Sequence, residues 1–221
     1  MTTKRELIML NRYILLTSAL LLPLTAHSAK SNDITYDSLD ISWTAINIES
    51  DEKDSYGDNQ EIDAGTLSLA GSVSATNNLA ISGLIGVTAY DDASYCENFY
   101  CDNSTQTSFS IGLIPHFPLG NKVDLIIPLN LIYSDLEANN GYSDNDTGFS
   151  LGLGIRALIN PSLELGAQLT HTDIYSNDSQ TFAASARWHI SGLFSLALGV
   201  SNTDSTGASA TASNFSMRFS F

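Results

Sequence analysis

At 221 residues the chain is long enough for one substantial domain and short for two. Its 24 acidic residues against 9 basic ones leave a formal charge of −15, which excludes the basic surface that nucleic-acid binding uses to displace counterions. Hydrophobic residues make up 43% of the sequence, yet after the N-terminal region no apolar run reaches helical spanning length, so periodicity must place them.

The chain opens with Lys4, Arg5 and Arg12, followed by the apolar run YILLTSALLLPL (residues 13–24) and small residues in TAHSA. Basic residues, an apolar stretch and small residues in that order form a secretory signal peptide, with cleavage expected near Ser28 and Met9 as an alternative start. A run of this length is too short for a membrane-spanning helix. The expected organisation is a removed segment, 1–28, and one exported domain, 29–221. Loss of Lys4, Arg5, Arg12 and Glu6 leaves that domain near −17.

Beyond the signal segment, alternation with period two replaces any helical period. Leu39, Ile41, Trp43 and Ala45 alternate with Asp40, Ser42 and Thr44; Leu67, Leu69 and Val73 alternate with Ser68, Ala70 and Ser72. The pattern recurs over residues 81–87, 109–117, 123–133, 149–157, 163–169, 182–190, 194–200 and 215–221. That makes ten segments, each about the length of a tilted strand that crosses a bilayer. Over 123–133 the parity is weakest, because Ile126 and Ile132 make both faces apolar and Pro128 removes a ladder hydrogen bond; an irregularity is expected there.

The connections alternate in length. Short turns are expected at 75–78, 118–122, 160–162 and 191–192, and longer polar loops at 50–60, 91–106, 137–146, 174–179 and 202–209. The expected fold is therefore all-β: a ten-stranded antiparallel up-and-down transmembrane β-barrel of the bacterial outer membrane. Short turns and both termini would face the periplasm, and long loops the exterior. Tyr90, Tyr133 and Tyr175 fall near the long loops, and Phe117, Trp188, Phe194 and Phe221 near the short turns, as two aromatic girdles would. A soluble sandwich or lipocalin-like barrel would carry a charged outer face, whereas here the second face is Ser, Thr, Gly and Ala and the charges gather in the loops.

The stretches YDSLDISW, SATNNLAISG, IPHFPLGNKVDL, LGLGIRALINPSLEL and the closing MRFSF resemble the porin-like outer-membrane β-barrel proteins of Gram-negative proteobacteria. The resemblance covers the whole exported domain and rests on the order and spacing of strand and turn patterns. It implies an integral barrel inserted by the barrel-assembly machinery, which reads a C-terminal aromatic strand: Phe215, Met217, Phe219 and Phe221. It implies a location and an architecture, and no particular reaction.

With the lipid-facing rows assigned, the inward rows are mostly small residues, including Ser68, Ser72, Gly86, Gly112, Gly152, Ala183 and Gly199. Ten strands lined this way should enclose a wet vestibule. The exceptions are charged or imidazole-bearing and fall at one level near the short turns: Asp40, His116, Asp124, Arg156, Glu164, Arg187, His189 and Arg218. Expected pairs are His116 with Asp124, Arg156 with Glu164, and Arg218 with Asp40 across the closing seam, with Arg187 leaning toward Glu164 or the cavity. This belt reads as a salt-bridge network in the barrel floor, or as a conducting constriction.

Cys96 and Cys101 in an exported chain are expected to form one local disulfide in a loop. Asp144, Asp146 and Gly148 echo part of a calcium loop but lack its closing bidentate Glu, so no metal site is expected. His171, Asp173 and Ser176 are the one cluster with a catalytic look, yet alternation turns His171 and Asp173 outward and no oxyanion arrangement accompanies them. Neither catalysis nor a cofactor is expected. The expected partners are outer-membrane lipid, lipopolysaccharide and the barrel-assembly machinery, around a monomer, with acidic external loops as a possible surface for recognition.

Overall fold

In hydrocarbon no backbone N–H or C=O can be left unpaired, so strands facing lipid must pair along both edges, which only a closed barrel permits. The structure, a computed structural model, describes residues 28–30, 33–53, 59–91, 104–138, 143–175 and 177–221. Two three-residue strands, β1 (Ser28–Lys30) and β2 (Asp33–Thr35), pair with each other. Then follow β3 (Ser38–Lys53), β4 (Asn59–Thr76), β5 (Leu79–Asp91), β6 (Ser104–Pro118), β7 (Val123–Ile126), β8 (Leu129–Ala138), β9 (Ser143–Asn160), β10 (Leu163–Ile174), β11 (Asn177–His189), β12 (Phe194–Ser205) and β13 (Ala208–Ser220). Pairing is antiparallel throughout, and β13 returns to β3 from Ser220↔Ser38 to Ala208↔Ser50. Strands β7 and β8 lie end to end between β6 and β9, so the sheet closes as a barrel of ten staves.

The irregularity expected at Pro128 is the break between β7 and β8. Register survives it: His116↔Ile126 and Leu113↔Leu129 flank the gap on β6 without a shift. Ile127 N donates to Pro115 O at 2.9 Å, and Gly152 N donates to Pro128 O at 2.8 Å. A Cβ on Gly152 would stand 2.8 Å from Pro128 Cγ, so the missing side chain makes room for the inward proline ring. The ambiguous parity resolves with Ile126 and Ile132 both buried inside.

Outside, the apolar rows are bare. Trp43, Leu67, Phe109, Leu131, Leu153, Phe182 and Leu198 are all exposed, and together they form a continuous band far larger than a water-soluble surface carries. Among the described residues no helix is long and apolar enough to cross a membrane, and the strands supply the crossing surface.

Toward the long connections the strands run further than the sequence pattern suggested. The expected loop 202–209 is a hairpin, with β12 reaching Ser205, β13 starting at Ala208, and Gly207 at φ 86° in the turn. Strands β3, β9 and β11 likewise take in residues expected in loops. The cause is an inversion of polarity. Near the membrane Leu39, Ile41 and Trp43 face out while Asp40 and Thr44 are buried; further along the same strand Glu49 is exposed while Ile46 and Ile48 are buried. Strand β4 repeats this, with Glu61 and Asp63 exposed and Ile62 buried. A search for apolar outward rows stops where the strand leaves the bilayer, although the strand itself continues.

Candidate functional site

Three layers fill the lumen, and the lowest is the charged belt. All eight residues picked out by inward parity line it: the side chain of His189 is 7% exposed, and the other seven residues are buried. Arg218 and Asp40 are direct partners across the closing seam, with Arg218 Nε donating to Asp40 Oδ1 at 2.8 Å and Oδ2 at 2.9 Å. Arg156 Nε donates to Glu164 Oε1 at 2.8 Å, and its Nη2 lies 2.6 Å from the same oxygen. On the far side of that carboxylate His189 Nε2 lies 3.4 Å from Glu164 Oε2.

Two expected pairings are corrected. His116 does not pair with Asp124; on the ladder it faces Ile126, and Asp124 faces Pro118. Tyr36 sits between them, its ring stacked on His116 at 3.5 Å and its hydroxyl donating to Asp124 Oδ2 at 3.3 Å. Arg187 stands opposite Glu164 on the ladder, but its guanidinium turns the other way. Nη2 reaches Asp40 Oδ1 at 3.4 Å and Nη1 reaches Ser195 Oγ at 3.1 Å. Asp40 therefore serves two arginines, and Arg156 serves two carboxylates, Glu164 and, at 3.9 Å, Asp124.

Tyr36 is the residue that the alternation reading missed. It shares inward parity with Ser38 and Asp40, and extending the first segment by two inward positions would have found it. Its carbonyl accepts from Ser72 Oγ at 2.7 Å. The neighbouring Asp37 accepts from Ser74 N at 2.7 Å and, through its own carbonyl, from Phe221 N at 3.2 Å. The segment before β3 is thus tied under the floor to both adjoining staves.

Above the belt comes a hydroxyl layer of cross-strand pairs: Ser42 with Ser68 at 2.6 Å, Thr66 with Thr88 at 2.8 Å and Thr181 with Thr203 at 2.9 Å. The third layer overturns the wet vestibule. Ile46, Ile48, Ile62, Ile132, Leu136 and Ile174 meet the inward alanines of β13 in one buried apolar cluster. Tyr90 and Tyr175 belong to it as well, not to an outer girdle, because their parity is inward above the inversion. Tyr90 donates to Gln106, which donates to Ser134 Oγ, while Tyr175 donates to the Ser134 carbonyl at 3.0 Å. Tyr133, Trp188, Phe117 and Phe221 face out as expected.

Elsewhere, Asp146 accepts from the backbone N–H groups of Thr147 and Tyr175, so its carboxylate is engaged in holding the end of β10. His171 faces outward with Nε2 3.7 Å from Asp178 Oδ1. Ser176, Cys96 and Cys101 lie outside the described residues, as do residues 1–27 of the expected signal peptide. Phe215 and Phe219 are exposed on the outer face of β13, with Met217 partly so, and Phe221 is exposed just after the strand ends.

The comparisons agree with this architecture. A family model described as outer membrane protein beta-barrel domain matches residues 14–189. This chain belongs to that family. Among solved structures, the barrel is similar to an outer membrane channel from Pseudomonas putida F1, at 12% identity and a TM-score of 0.52, covering 88% of this chain and 99% of that one. It is also similar to the translocator domain of the autotransporter NalP from Neisseria meningitidis, at 10% identity and a TM-score of 0.51, covering 98% and 96%. At such identities the likeness is one of fold. No curated protein sequence matches the chain. Membership places this outer membrane protein beta-barrel domain in the outer membrane, where the exposed apolar band meets lipid.

Proposed function

We propose that this outer-membrane barrel is non-enzymatic and closed, a structural barrel that carries acidic connections at its outer face. The observation behind the proposal is that the lumen is filled at two separate heights, by the paired belt and by the apolar cluster. A narrow pore would need a wet path past Arg187, Arg218 and Ile48, each no more than 1% exposed. Planar-bilayer recordings of the purified barrel are expected to show no discrete openings. Steps of constant conductance, reproduced across preparations, would make it a narrow porin instead.

In this reading residues 1–28 are the export signal, and the short turns and both termini face the periplasm. The barrel works as a monomer among outer-membrane lipid and lipopolysaccharide. The resemblance assigns Phe215, Met217, Phe219 and Phe221 to recognition by the barrel-assembly machinery. A second reading, surface recognition, is favoured by the length of the connection 92–103 between β5 and β6, which carries Cys96 and Cys101. Deleting residues 93–102 spares Tyr90 and Gln106, which brace the wall. An adhesin so trimmed should stay folded and lose binding to a cell, phage or envelope partner, whereas a purely structural barrel should be unaffected.

A further inference from the structure

The barrel floor holds a local surplus of hydrogen-bond donors. Arg218 uses Nε on Asp40, while its Nη1 and Nη2 find no acceptor among the described residues, and neither does Nε of Arg187. Arg218 is 0% exposed and Arg187 1%, so bulk water does not reach them. Both guanidiniums contact the same oxygen, Asp40 Oδ1, and therefore lie side by side. Two arginines thus share one hydrogen-bonded carboxylate, which leaves N–H groups over.

Glu164, the ladder neighbour of Arg187, does not take up these donors: it is engaged by Arg156, with His189 at 3.4 Å, and Arg156 also reaches Asp124 at 3.9 Å. Water can meet an orphaned N–H, but each molecule adds two donors to a place already crowded with them. An acceptor-only species answers the donor surplus.

We propose that the Arg187–Arg218 half of the belt is a binding site for a small inorganic anion of chloride size, cradled by Nη1 and Nη2 of Arg218 and Nε of Arg187. Asp40 stands behind the guanidiniums and aims their free edges at the ligand. The anion completes the floor of the closed barrel, and the site depends on forked guanidinium donors that an ammonium cannot reproduce.

Two measurements test it. Crystals of the refolded full barrel soaked in bromide should show an anomalous peak within hydrogen-bond reach of the Arg218 Nη atoms. In lipid vesicles at constant ionic strength, replacing gluconate with chloride should raise the urea midpoint along a saturating curve, as for any ligand that binds the folded state alone. Arg218→Lys keeps a cation opposite Asp40 and should flatten that curve, while His171→Gln, on the outer face, should leave its shape intact. A floor without a bromide peak would overturn the site. So would a chloride response that survives Arg218→Lys, or a peak seen only in molar bromide while the midpoint stays flat.

Discussion

The same strands build two barrels of opposite polarity, one inside the membrane and one above it. At membrane level Ile41 and Trp43 face lipid while Asp40 lies in the lumen; a few residues on, Glu49 faces water and Ile48 lies in the core. Nothing in the backbone changes at the crossing, because β3 keeps one register with β13 from Ser38 to Ser50. The solvent outside sets the rule. Where lipid surrounds the wall, apolar side chains are satisfied outward and the lumen is left to polar groups that must satisfy one another. Where water surrounds it, the hydrophobic effect turns the apolar rows inward and the lumen becomes an ordinary core.

The two regions should therefore fail differently when mutated. The largest effect is expected at the floor. Asp40→Ala leaves Arg187 and Arg218 buried without their carboxylate, and removing one member of such a network costs about 3–5 kcal/mol. Urea unfolding of the refolded barrel in vesicles should show that loss, and Arg218→Ala on top of it should cost much less than it does alone. Additive losses would mean that Asp40 and Arg218 are not one unit.

The floor was largely legible in the sequence because charge is conspicuous among inward Ser, Gly and Ala. Arg218 and Asp40 could be paired before any coordinates, since closing ten strands brings the last against the first. The partner of Arg187 was not legible. Ladder register locates its backbone opposite Glu164, but a guanidinium on a long stem reaches diagonally, and its choice depends on which carboxylate is already engaged. Arg156 holds Glu164, so Arg187 goes to Asp40. The apolar core near the long connections escaped for another reason. Recognition of a strand rested on an apolar outward row, and Ile46, Ile48 and Ile62 are apolar inward, so a correct periodicity was read with the wrong surroundings.

A smaller effect separates lipid from core directly. Ile48→Ala removes side-chain volume from a close-packed cluster, and about 3 kcal/mol is expected from lost transfer plus the cavity left behind. Ile41→Ala removes the same atoms from the lipid face, where acyl chains close over the gap, so it should lose the transfer contribution alone. Unfolding midpoints for the two variants in the same vesicles test the ordering. Equal losses would say that this apolar cluster is packed no better than a bilayer.

The smallest expected effect belongs to Tyr175, at the outermost end of the core. Its hydroxyl donates to Ser134 O at 3.0 Å, and burial, joined by Asp144, Asp146 and Asp135, pushes its pKa up to about 12 from an ordinary value near 10. Between those values the folded chain keeps a proton that the unfolded chain releases. Stability from this group is therefore full below about pH 10 and is lost as the pH rises toward 12. Phenylalanine cannot ionise, so Tyr175→Phe should be less stable by about 1 kcal/mol at pH 8, the value of one hydrogen bond. That gap should narrow steadily in unfolding midpoints taken at pH 8, 9.5 and 10.5. A gap that holds constant would mean that the phenol is open to water, and that the core ends one layer lower, at Ile174 and Leu136.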